Sequence, residues 1–291
     1  MIPKESRGYL IVATLSKSFY TGAVECIKSL KDEVPDAQVA FFTHEMYIKD
    51  EDRHLFDHLF TPAPVHNRAK LWALPMSPFE YTTYLDADSF VCSDEIEEVW
   101  EHLDNAGDDV DVLMSENRPY NAKVVLFQDK HQNNGEAREL NHWDQEHIDL
   151  YLDGKAHIFR WHCGMFTWRK NERTQKLWKE WLRYYRNHNE STDGSGQRDK
   201  SGVDPYPRSL AYWDTFAFWR VLHEQPDLKI NIQRMPKDAK YNYVTGYRET
   251  ELRYGEEYAV FHYTIPPELV HEETYNETNI DPTCGSLDLL K

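Results

Sequence analysis

Apolar positions in this chain fall into short runs separated by segments of helical period. Tyr9 to Leu15 is a continuous apolar run of strand length with β-branched content, the pattern of a parallel strand buried on both faces. After a turn at Ser16 to Ser18, the stretch from Phe19 to Leu30 places Ala23, Ile27 and Leu30 on one helical face. Val39 to Thr43 reads as a second strand, and Leu59-Phe60 as a short third one that ends at the breakers Pro62 and Pro64. A helix from about Asn67 to Leu74 then leads into a strand running from Tyr81 to Asp86. Asp94 and Glu97 form a capping-box pattern for a helix through Leu103, and Val110 to Met114 is the next strand. This alternation predicts an α/β fold with a Rossmann-like, mostly parallel central sheet flanked by helices.

The second half is less regular. Residues 128–155 form a polar excursion without a strong period, and Trp161 to Trp168 is apolar again and reads as a strand. Asn171 is a good N-cap for a helix through Arg186, with Leu177, Trp178, Trp181, Leu182 and Tyr185 on one broad face. That spacing favours core packing over a sugar-stacking platform. Asn187 to Ser209 is rich in Gly, Ser, Asp and Pro and is expected to be a mobile loop ahead of an aromatic helix beginning near Trp213. Ala259 to Thr264 is a late strand. The whole reads as a single domain over 1–291, with its core at about 7–265 and a polar C-terminal tail at 271–291.

Charge narrows the function classes. A net charge of −17 argues against a nucleic-acid binder, which needs a basic face to release counterions. It also opposes any anionic substrate unless the local balance differs, and a bound divalent cation would reverse that local sign. Cys26, Cys92, Cys163 and Cys284 are far apart with no CxxC pair, which fits a reducing compartment better than a disulfide framework. The polar start and the lack of a long apolar run predict a soluble, cytoplasmic protein. Oligomeric state leaves no mark in the sequence.

Candidate chemistry centres on Asp86 and Asp88, in Tyr84-Leu85-Asp86-Ala87-Asp88-Ser89. A strand ending there releases two carboxylates at a sheet edge, where ligands of open α/β sheets bind. Such a pair is a hard-oxygen handle for a divalent cation that in turn grips a phosphate. At the exit of the first strand, Ala13, Thr14 and Leu15 offer backbone groups to a nucleobase, and Tyr20 offers a ring to stack over it. In Trp161-His162-Cys163-Gly164, the glycine would let a backbone approach a ligand closely. His162 and Cys163 have no companion pair at zinc spacing, and packing explains them equally well. Asp214 is either a helix cap or a general base, with Trp213, and also Trp161, as sugar-facing aromatics on the acceptor side. His262, alone on its strand, is by itself more often structural.

Taken together, these segments resemble the GT-A glycosyltransferases, most closely the glycogenin-like family 8. Thr14-Leu15 with Tyr20 and Ser29-Leu30 looks like that family's uridine-binding strand and helix, and Lys70-Leu71 ahead of Asp86-Ala87-Asp88 like its donor-binding lysine and DxD motif. His162-Cys163-Gly164 sits where the family has Asn-x-Gly. Asp214-Thr215 takes the place of its Asp-Gln pair, and Arg234-Met235-Pro236 with Tyr241-Asn242-Tyr243 is similar to its Leu-Pro and Tyr-Asn segment. His262 aligns with its third metal ligand. Three positions depart from the pattern: His162 replaces Asn, Thr215 replaces Gln, and the Gly-x-x-Lys-Pro-Trp segment that carries a diphosphate-binding lysine is missing.

The resemblance implies transfer of a sugar from a nucleotide sugar, UDP-linked by analogy, to a hydroxyl of a glycan acceptor. It implies Asp86, Asp88 and His262 as ligands of Mn²⁺ or Mg²⁺. It places Lys70, Ala87 and Gly164 beside the donor, and Asp214 and His162 near the reacting atoms. Stereochemistry stays open, because an inverting enzyme would use Asp214 as base whereas a retaining one would rely on the leaving phosphate. Two rivals stand beside this reading. One is a haloacid-dehalogenase-type phosphatase, whose Asp-x-Asp normally opens the domain, and the other a non-catalytic carbohydrate binder on a transferase scaffold.

Overall fold

The computed structural model describes residues 2–61, 63–66, 68–116, 161–190, 214–244 and 258–262. The predicted excursion at 128–155, most of the 187–209 loop, Trp213, Thr264 and the 271–291 tail lie outside these residues.

Seven strands build the central sheet: β1 (Arg7–Ala13), β2 (Val39–Thr43), β3 (His58–Phe60), β4 (Tyr81–Leu85), β6 (Val112–Glu116), β7 (Trp161–Arg169) and β8 (Ile232–Arg234). Their order is β3-β2-β1-β4-β7-β6-β8, and β7 alone pairs antiparallel with its neighbours. The sequence carries no signal for that reversal, since an apolar run fixes burial but not strand direction. Strand order reverses beside β1: β2 and β3 lie on one side, β4 and the rest on the other. The crevice at the carboxyl ends of β1 and β4 is therefore the ligand-binding position of an open sheet.

Alternation along β1 explains why both sheet faces are covered. Tyr9, Ile11 and Ala13 enter one apolar layer with helices α1 (Lys17–Glu33) and α3 (Glu98–Asn105). Leu10 and Val12 enter the opposite layer with α2 (Lys70–Ala73), α4 (Glu172–Glu190) and α5 (Asp214–Glu224). Ser16 caps α1 by accepting the Phe19 N–H. Asn171 caps α4, its Oδ1 accepting from the Thr174 N–H at 2.9 Å. The capping box expected from Asp94 and Glu97 does not form: Ser93 caps a 3₁₀ turn over Asp94–Glu97, and α3 begins only at Glu98. Trp178 and Trp181 are fully buried against Phe166, Trp168 and Phe218, as the packing reading expected.

A second, three-stranded sheet matters most for function. It joins β5 (Ser89–Val91), β10 (Val260–His262) and β9 (Tyr243–Val244), with β10 in the middle. Antiparallel pairing sets His262 opposite Ser89, beside Asp88. Ser29 on α1 seats this sheet, its Oγ accepting from the Val91 N–H at 3.0 Å while donating to the Cys26 carbonyl. A short helix, α6 (Asp238–Tyr241), leads into β9. Among the described residues no helix is long and apolar enough to cross a membrane, and Cys26, Cys92 and Cys163 are free.

Candidate active site

β4 ends at Leu85, and the chain then turns so that Ser89 N–H donates to the Asp86 carbonyl. The Asp86 N–H reaches across to the Gly164 carbonyl on β7 at 2.8 Å, which fixes the start of the turn. Ala87 faces inward, and Asp86 and Asp88 come out half-buried on either side of it. Ligand atoms of Asp86, Asp88 and His262 lie within 4.8 Å of one another. His262 Nε2 is 3.1 Å from Asp88 Oδ1 and 3.8 Å from Asp86 Oδ2. The other oxygen of Asp86, Oδ1, accepts from the Tyr84 hydroxyl at 2.5 Å and faces Lys70 Nζ at 3.4 Å. Burial and the adjacent Asp86 carboxylate push the Tyr84 phenol well up, so it remains a donor. Burial, opposed by Lys70 and reinforced by Asp88, raises the Asp86 carboxyl.

Asp214 opens α5 a short distance away, its backbone held by the Trp181 indole N–H at 2.7 Å. Lys70 Nζ stands 2.8 Å from Asp214 Oδ2 and donates to the Cys163 carbonyl at 2.9 Å. Arg68 Nε lies 3.7 Å from Asp214 Oδ1. Burial alone would raise this carboxyl, but Lys70 and Arg68 outweigh it and bring it down to about 2. A carboxylate so firmly ionised is a weak proton acceptor at neutral pH, where a general base works best with a pKa near the operating pH. With Asp214, Cys163 and Asp86 around its three protons, Lys70 acts as a brace between the two carboxylate groups rather than as an open phosphate ligand.

Several residues singled out from the sequence take other roles. Tyr20 is only 1% exposed and packs against Phe41; its hydroxyl donates to Asp52 at 2.8 Å and accepts from the Lys49 N–H. Stacking over a base is therefore closed to it, because its polar end anchors the 3₁₀ segment Asp50–Leu55. Trp161, 7% exposed, belongs to the apolar layer. The groups at the β1 exit already have protein partners: Ala13 O takes the Thr43 hydroxyl, and Leu15 O takes the Tyr47 hydroxyl. The Thr14 hydroxyl donates to His66 O and accepts from His66 N–H. Thr14 thereby pins the segment that carries Arg68 and Lys70. Gly164 is explained by the two imidazoles beside it. A Cβ there would fall 2.7 Å from His162 Cε1 and 2.8 Å from His262 Nδ1, with His262 Cε1 closer still. Cys163 is buried, and burial raises its thiol pKa.

No protein-family model matches the sequence, and comparison with curated proteins finds no match. Solved structures do. Mouse xyloside xylosyltransferase 1 in its apo form aligns at 10% identity and a TM-score of 0.47, over 88% of this chain and 97% of that one. The galactosyltransferase LgtC, solved with donor and acceptor sugar analogues, aligns at 16% identity and 0.44, over 93% and 92%. The glycosyltransferase GlyE of Streptococcus pneumoniae aligns at 12% and 0.49, over 96% of this chain and 61% of its own. At such identities, function must be read from this chain's own side chains.

Those side chains fit a divalent cation. The donor set is two carboxylate oxygens and one imidazole nitrogen, a chemistry suited to a divalent cation. A nitrogen lone pair 3.1 Å from a carboxylate oxygen is repulsive unless something positive lies between them. Burial lowers the His262 pKa, yet Asp88 and Asp86 overcome it and raise it. Sequence reasoning missed Arg68, which looked like one charge in a polar stretch, and it gave Asn242 no chemical role.

Proposed function

We propose that the protein is a glycosyltransferase that moves a sugar from a nucleoside diphosphate, UDP by its family resemblance, to a hydroxyl of a glycan acceptor. The observation that carries this reading is the convergence of Asp86, Asp88 and His262 at the carboxyl edge of the sheet, next to an ionised Asp214. Asp86, Asp88 and His262 would hold Mn²⁺ or Mg²⁺. When bound, such a cation supplies positive charge that stabilises a leaving diphosphate. Asp88 and the Oδ2 of Asp86 are the oxygens left for it, since Tyr84 and Lys70 occupy Asp86 Oδ1.

Asp214 stays a carboxylate and, buried against Lys70 and Arg68, would act by holding those two cations in place beside Asp86. As it is a poor base, the inverting route loses its support. A retaining transfer, in which the departing phosphate oxygen takes the acceptor proton, needs no protein base and fits this electrostatics better. His162, half-buried beside the cation site, is the remaining polar side chain from the sequence reading that can touch donor or acceptor. The phosphatase rival requires an Asp86 oxygen free to attack phosphorus, whereas Oδ1 is bonded to Tyr84 and faces Lys70, and Oδ2 is the oxygen this reading gives to the cation. A screen of nucleotide sugars with Mn²⁺, read as diphosphate release with and without candidate glycans, tests the proposal. Release from a UDP-sugar is expected; phosphate-ester hydrolysis without nucleotide-sugar turnover would favour the phosphatase.

A further inference from the structure

Three backbone segments meet at Asn242. Its Nδ2 is 2.7 Å from His162 Nδ1 on β7, and its Oδ1 is 3.1 Å from His262 Nδ1 on β10. Asn242 itself is buried, at the junction between α6 and β9. Which way the amide points follows from a group with no freedom. The Gly164 backbone N–H, which can only donate, meets His162 Nδ1 at 3.1 Å, so that nitrogen is an acceptor. The Asn242 atom facing it is therefore the NH₂ donor. The amide oxygen then faces His262, and His262 Nδ1 must carry the proton. His262 is left with Nε2 directed at Asp88, the nitrogen required of a metal ligand.

We infer that Asn242 is a positioning residue that sets the tautomers of both histidines at once. It holds His262 as the Nδ1–H form with Nε2 free for a cation, and it holds His162 as the Nε2–H form. Only a primary amide presents a donor and an acceptor in one plane for this purpose. His162 is thereby a hydrogen-bond donor at Nε2 and not a base through Nδ1, which is closed by two N–H groups. The first consequence rests on the proposed cation site; the tautomers do not.

The test combines Mn²⁺ titration with imidazole spectroscopy on the full chain. In metal-free wild-type protein, ¹⁵N–¹H correlation spectra of the histidine rings are expected to show His262 protonated at Nδ1, whether or not Nε2 also carries a proton, and His162 protonated at Nε2 with Nδ1 bare. Asn242→Ala is expected to weaken Mn²⁺ binding by about 10–100-fold, the usual effect of losing such a partner. Asn242→Asp should stay within a few-fold of wild type, because its carboxylate still accepts from His262 Nδ1. Wild-type affinity in Asn242→Ala, or the opposite tautomer at either ring, overturns the inference. If Asn242→Ala does not fold, the wild-type spectra decide alone. Wild-type protein that binds no Mn²⁺ but shows the expected tautomers would sink the cation reading and leave the relay standing.

Discussion

The Lys70 ammonium lies 2.8 Å from Asp214 Oδ2, and both groups are almost fully buried. Arg68 approaches the other oxygen of the same carboxylate. An ion pair in such surroundings is costly to break one partner at a time, since the remaining charge has no water to turn to. Lys70→Met is expected to lower stability by about 3–5 kcal/mol in urea unfolding. A loss below about 1 kcal/mol would show that Asp214 finds another partner or is solvated.

The depressed Asp214 pKa gives this pair a pH signature. The folded value, about 2, is below the ordinary 3.8, so the contribution is present above pH 3.8 and is lost as pH falls through about 2. It amounts to roughly 2 kcal/mol at neutral pH. The stability difference between wild type and Asp214→Asn should therefore narrow as pH falls through this window. A difference that widens on acidification would contradict the assigned electrostatics.

Gly164 makes room for two imidazoles. Gly164→Ala would place a methyl against His162 Cε1 and His262 Nδ1. We expect a stability loss of about 1–3 kcal/mol from overpacking. Because His262 must move, Mn²⁺ affinity by calorimetry should also fall by about tenfold or more. Unchanged affinity would mean that the ring gives way without leaving the cation site.

Cation binding should also appear as stabilisation, because a ligand that binds only the folded state adds about 2.7 kcal/mol at 100 times its dissociation constant. Thermal unfolding of wild type should shift upward with Mn²⁺, and that of Asp88→Asn should not. An equal shift in both proteins would place the ion elsewhere.

How much of this was legible in the sequence differs by residue. Asp86, Asp88 and His262 were found because motif and order survive in one dimension: an apolar strand runs into paired aspartates, and a histidine strand follows much later. Their convergence depends on the small β5-β10-β9 sheet, which no local pattern announces. Tyr20 was misread because its deciding partner, Asp52, lies 32 residues away on a 3₁₀ segment. Asp214 looked like an even choice between cap and base. The two cations that set its charge, Lys70 and Arg68, arrive from another part of the chain, where no local pattern shows them. Gly164 reads in the sequence as a place where a ligand comes close to the backbone; the groups the structure puts beside it are the rings of His162 and His262.

The central claim is that Asp86, Asp88 and His262 form the cation site of a sugar-transfer reaction. The most direct measurement is nucleoside-diphosphate release from UDP-sugars by wild type and Asp88→Ala, each in Mn²⁺ and in excess EDTA. The account predicts turnover by wild type that EDTA abolishes and Mn²⁺ restores, and a loss of roughly 10²-fold or more in Asp88→Ala. Wild-type turnover that is indifferent to chelator, with Asp88→Ala equally active, would contradict it.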